Sequence, residues 1–142
     1  MQQLKIPSVI ATRMVEQARA GMQREVCGIL AGCADAVASH YEMTNSDQSA
    51  VHYTMVPEEQ FKVLKSIRAV GQEMLAIYHS HPATPARPSA EDIRLALTPG
   101  VIYVIMSLVE PESPVIKGFT IDDERVSEVA IAITDYLNGG IL

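Results

Sequence analysis

The chain has 142 residues, nearly half of them apolar and a fifth charged, with a formal net charge of -6. That composition suits one globular domain with a sizeable core, and its acidity repels phosphate backbones, which argues against nucleic-acid partners. No stretch is long and apolar enough to span a bilayer, and residues 1–7 lack the apolar core of a secretory signal, so the reading is a cytoplasmic protein with no membrane partner.

The periodicity predicts a helix over residues 8–22. Ser8 after Pro7 is its expected cap, and Ile10, Met14, Ala18 and Met22 fall four apart on one face. Glu25 then heads the apolar run Val26 to Ala31, which reads as a buried strand stopped by Gly32. Cys27 and Cys33 lie in or beside this run without C-x-x-C spacing and read as reduced thiols, Cys27 in the core. A second strand is expected over 36–43, a polar loop over 44–49, and a short strand over 51–55. Pro57 and the acids after it suit the start of a second helix, with Phe61, Leu64 and Ile67 on its face and Gly71 at its end. Residues 74–78 form a strand that runs into His79. Pro82, Pro85 and Pro88 keep the next stretch irregular, and Ser89 starts a short helix to about Leu97. Apolar strands follow over 101–108, 115–121 and 125–133, the last two joined around Asp122-Asp123. Interspersed helices and strands with consecutive strands at the end indicate an α/β domain, a mixed sheet flanked by helices, over residues 1–142.

The densest feature is His79-Ser80-His81-Pro82 followed by Ser89-Ala90-Glu91-Asp92. Side chains two apart on a strand share a side, so both imidazoles can converge on one cation. Asp92 has two readings. With Ser89 it fits a capping box, and the short proline-rich segment also allows it to fold back as a third ligand. Two histidines and one carboxylate with an open position make a catalytic rather than a structural zinc site. Glu25 also has two readings: an exposed residue at a strand's first position, or a buried base facing a cleft. His40 and His52 read as structural, and Gly139-Gly140 as part of a flexible tail.

Taken together, Glu25, His79-Ser80-His81-Pro82 and Ser89-Ala90-Glu91-Asp92 resemble the JAMM (MPN-plus) zinc metalloproteases, whose pattern is an upstream glutamate, H-[ST]-H-P, then S-x-x-D at this spacing. The likeness extends over nearly the whole chain and is strongest to short prokaryotic members. It implies a three-layer, curved mixed sheet like that of cytidine deaminases. It implies one zinc ion on His79, His81 and Asp92, Glu25 as general base, and Ser89 as a donor to the oxyanion. The implied substrate is a ubiquitin-like sulfur carrier with a C-terminal diglycine. A homodimer is left open. The competing reading is a non-catalytic scaffold of the same fold. A nucleobase deaminase is disfavoured by the missing P-C-x-x-C pair.

Overall fold

The computed structural model describes residues 3–137, 140 and 141, with side chains through residue 135. Its elements run β1 (Gln3–Pro7), α1 (Ser8–Ala20), β2 (Cys27–Cys33), β3 (Ala36–Met43), α2 (Pro57–Ala69), β4 (Glu73–His81), α3 (Ala90–Arg94), β5 (Ile102–Ser107), β6 (Val115–Asp122) and β7 (Arg125–Thr134). A small antiparallel pair follows, β8 (Tyr136–Leu137) with β9 (Gly140–Ile141). Gly139 lies outside the described residues, whereas Gly140, expected in a flexible tail, pairs with Leu137.

The main sheet has the order β1-β3-β2-β4-β5-β6-β7. It is mixed: β4 runs parallel to β5 and antiparallel to β2. The expected curvature is present and goes further, closing the sheet into a ring. β1 pairs with β7 from Gln3↔Ala130 to Pro7↔Thr134 and bridges β3 at Lys5↔Ala36. Period-two alternation along the strands then feeds two cores. On one side Leu30, Ala76, Tyr78, Val104 and Met106 pack with Ile10, Met14 and Ala18 of α1. On the other, Ile29, Ile77, Tyr103 and Ile105 pack with Ile67 of α2.

Several local expectations change. β1 was not anticipated, because five residues with a lysine and a proline carry little strand signal. Leu4 and Ile6 are nonetheless fully buried, and the strand exists through its pairing with β7. Ser8 does not cap α1; Pro7 occupies the cap position and no side chain caps the helix. Met22 falls beyond the helix and is 82% exposed. Residues 51–55 form no strand, only the single bridge Asn45↔Met55. On α2, Ile67 is buried and Val63 packs against the core while Phe61 and Leu64 face outward, so the buried stripe is rotated from the expected one. α3 ends at Arg94, because Leu95 and Leu97 are exposed and find no core that would extend so short a helix.

One close approach behind β4 bears on the site. Gly28 sits directly opposite Tyr78, and a side chain there would overlap the tyrosine ring. The space lets the buried Tyr78 hydroxyl donate to Gln17 Oε1 at 2.5 Å and meet His40 Nε2 at 2.6 Å. Gly28→Ala is therefore expected to destabilise the fold by about 1–3 kcal/mol, measured by denaturant unfolding; an unchanged midpoint would show that the ring can move freely.

Candidate metal centre

β4 carries His79 and His81 to its C-terminal end on the same face as Ile77, and both are buried, 1% and 4% exposed. The segment that follows is tied back to the sheet. Leu108 N donates to His81 O at 3.1 Å, and Ser107 Oγ donates to Thr84 O at 2.6 Å. His81 Nδ1 lies 2.9 Å from Pro85 O, so this carbonyl fixes the imidazole and directs Nε2 inward. The turn delivers α3 with its first residues over the strand end.

The two readings of Asp92 are both realised. Ser89 Oγ accepts from Asp92 N at 3.0 Å, and Ser89 N donates to Asp92 Oδ2 at 2.9 Å, which completes a capping box. The same Oδ2 lies 3.2 Å from His79 Nε2 and 3.0 Å from His81 Nε2, and the two Nε2 atoms are 3.1 Å apart. Three ligand atoms on a tetrahedral ion at zinc–nitrogen distances would be separated by roughly 3.3 Å. The spacing thus fits a shared cation, and the donor set of two imidazoles and one carboxylate suits a catalytic divalent ion.

Glu25 departs from its local reading. It lies just before β2 rather than in it, and it is 4% exposed rather than a surface residue. Its carboxylate, His79 and His81 each offer one ligand atom within 4.8 Å of the others. Glu25 Oε1 and His79 Nδ1 are buried polar atoms without a hydrogen-bond partner among the described residues. A buried carboxylate oxygen left this way is costly unless it faces a cation or a bound water. Burial pushes the Glu25 carboxyl up to about 8, against the opposing pull of His81. Burial also raises the Asp92 carboxyl, but hydrogen bonds from His79 and His81 outweigh it and hold the group well below the usual carboxylate range. Burial holds the His79 imidazole below its usual value. Burial acts the same way on His81, yet its bonds to Asp92 and Pro85 O raise it overall.

Two neighbours were given no role by the sequence. Ser80, between the histidines, faces the opposite side of β4. Its Oγ accepts from Val26 N at 2.9 Å while its own N donates to Val26 O at 3.0 Å, which locks the residue after Glu25 onto the strand. Tyr53 stacks on His79 with ring centroids 4.7 Å apart and planes 26° apart. Nothing in the sequence pairs a loop aromatic with a strand histidine 26 positions on.

The other candidates stay outside the centre. His40 is half-buried against Tyr78, and burial lowers its imidazole to about 4. His52 Nδ1 lies 3.0 Å from Asp47 Oδ2 in the loop beside the site. Cys27 is buried in the core, with its thiol raised to about 12 by burial, and Cys33 is exposed; both are free. No described helix is long and apolar enough to cross a membrane.

A mixed sheet with two histidines at one strand end, a carboxylate folded over them and a buried glutamate opposite is the plan of a JAB-type domain. The family model described as prokaryotic homologs of the JAB domain matches residues 7–121, and the chain belongs to this family. It is 34% identical to the CysO-cysteine peptidase of Mycobacterium tuberculosis over 93% of this chain and 92% of that protein. It is 40% identical to the desampylase of Haloferax volcanii over 58% of this chain and 62% of that one. The solution structure of a Desulfitobacterium hafniense protein superposes with a TM-score of 0.87 at 42% identity, covering 94% of each chain.

The burial of Glu25 has a consequence for stability. A carboxyl whose folded pKa lies above its unfolded value favours folding at low pH, and the advantage is lost as pH rises from about 4.5 to about 8. In protein stripped of metal by chelator, Glu25→Gln is expected to be more stable than the parent at pH 8, by on the order of 2 kcal/mol, and to lose that lead near pH 5. Urea unfolding at the two pH values checks this; a lead that is the same at both would refute it.

Proposed function

We propose that the chain is a zinc-dependent peptidase. It hydrolyses the peptide or isopeptide bond after the C-terminal diglycine of a ubiquitin-like sulfur-carrier protein. The observation that carries this reading is the buried Glu25 Oε1, without a hydrogen-bond partner among the described residues, beside the His79–His81–Asp92 triangle. A purely structural ion needs no buried glutamate on its open side, and a non-catalytic scaffold has no use for one. The names of the relatives, a CysO-cysteine peptidase and a desampylase, support bond cleavage at protein adducts and favour a carrier protein as substrate. The free thiols of Cys27 and Cys33 suit a reducing cytoplasm.

His79 Nε2, His81 Nε2 and Asp92 Oδ2 would hold the ion. When bound, zinc supplies Lewis acidity, which polarises the scissile carbonyl and lowers the pKa of a water toward about 7. Glu25 Oε1 takes the proton from the attacking water and carries it to the departing amine. A cation held by those three ligands would favour the ionised form of the Glu25 carboxyl, opposing the burial that raises it. The Ser89 hydroxyl accepts from Asp92 N, which leaves its proton free to donate to the oxygen that becomes negative during attack. Capping and catalysis therefore use different parts of one hydroxyl. We read all 142 residues as one domain serving this site.

The test uses a diglycine-ended carrier fused through its C-terminus to cysteine or to a lysine side chain. Zinc-loaded protein is expected to release the carrier. Asp92→Ala should lose both zinc and cleavage. Glu25→Gln should keep zinc and lose cleavage by about 10²–10⁴-fold. Absence of cleavage of both adducts by the zinc-loaded parent would falsify the reading.

A further inference from the structure

We propose that Asn45 is a positioning residue for this centre. Its side-chain amide ties the backbone of Glu25 to the loop over residues 44–55, and that loop in turn holds the Tyr53 ring against His79.

The Asn45 amide uses its full hydrogen-bonding capacity. Nδ2 donates to Glu25 O and to His52 O, each at 3.1 Å. Oδ1 accepts from Asp47 N and Thr54 N, each at 3.1 Å. Two carbonyls on one side and two N–H groups on the other can be satisfied by one amide orientation only. Glu25 is gripped from the same loop a second time, since its N donates to Ser49 O at 2.7 Å. Together with the Ser80 contacts to Val26, these bonds fix the short segment before β2 that carries Glu25.

The loop's second task concerns His79. A ligating imidazole is ordinarily oriented by an acceptor at its other nitrogen. His81 has one in Pro85 O, but His79 Nδ1 has none among the described residues. Tyr53 stacks on the His79 ring, and it lies between His52 and Thr54, the two residues whose backbone Asn45 holds. The loop has its own support elsewhere. Thr44 N and Oγ1 donate to Glu59 at 2.8 and 2.6 Å, and Thr54 Oγ1 donates to Asp47 Oδ2 at 2.5 Å. Asn45 is thus the one group among the described residues whose side chain bonds both the Glu25 backbone and the Tyr53-bearing strip.

The catalytic arm of the test rests on the peptidase reading above; the metal arm does not. Asn45→Asp keeps the shape and the two accepted bonds but sets an oxygen against Glu25 O and His52 O. The control is Ser46→Ala, which removes the bond from Ser46 Oγ to Thr54 O in the same loop without touching Glu25. Zinc affinity is read by chelator competition, cleavage by kcat and KM. Asn45→Asp is expected to weaken zinc binding by about 10-fold and to lower kcat by about 10–100-fold with KM within about threefold. Ser46→Ala should leave all three near the parent. Should Asn45→Asp fail to fold, Tyr53→Phe and Tyr53→Leu replace it, with zinc affinity kept by the first and lost by the second. Equal effects of Asn45→Asp and Ser46→Ala, or equal zinc affinity in the two Tyr53 variants, overturn the proposal. If the parent cleaves no adduct, the peptidase reading falls while the zinc comparison still decides the role of the loop.

Discussion

His79 Nε2, His81 Nε2 and Asp92 Oδ2 stand 3.0–3.2 Å apart in a place that excludes most water. Hydrogen bonds from the imidazoles hold the Asp92 carboxylate, and Glu25 adds a second carboxyl group beside them. Such a cluster is held together by the structure around it or by a shared cation, and both leave marks. The proline-rich segment is pinned to β5, the capping box freezes α3, and Pro85 O fixes His81. Each of these removes a freedom by which the cluster would relax apart.

The cluster works because β4 is central and alternates. Tyr78 and Ser80 point to the α1 side, where Ser80 locks Val26 and Tyr78 fills the space left by Gly28. Ile77, His79 and His81 point to the α2 side. Paired on both edges, the strand has no room to slip by one residue, and a slip would exchange ligands for core. The same register that buries Tyr78 therefore aims the histidines.

The parts of the site that lie within one element were legible in the sequence. His79 and His81 share a strand face by period two, and Ser89 with Asp92 shares a helix start, so local geometry settles both. Glu25 was legible only through a family pattern, since its burial comes from residues 20 or more positions away. β1 was missed for a similar reason: its burial depends on β7, at the far end of the chain. The expected strand at 51–55 failed in the opposite way. Its β-formers serve a loop held by side-chain bonds, with Tyr53 spent on a histidine rather than on a strand neighbour.

The closure of the main sheet has a bearing on how such a protein diversifies. The ring is not paired along its whole length: β1 meets β3 only at Lys5↔Ala36, and β7 pairs with β6 over 125–129 and with β1 over 130–134. The connecting segments above the strand ends lie outside these ladders. A lineage built on this ring can exchange one partner for another by rewriting those segments, while the barrel that aligns the histidines is inherited unchanged.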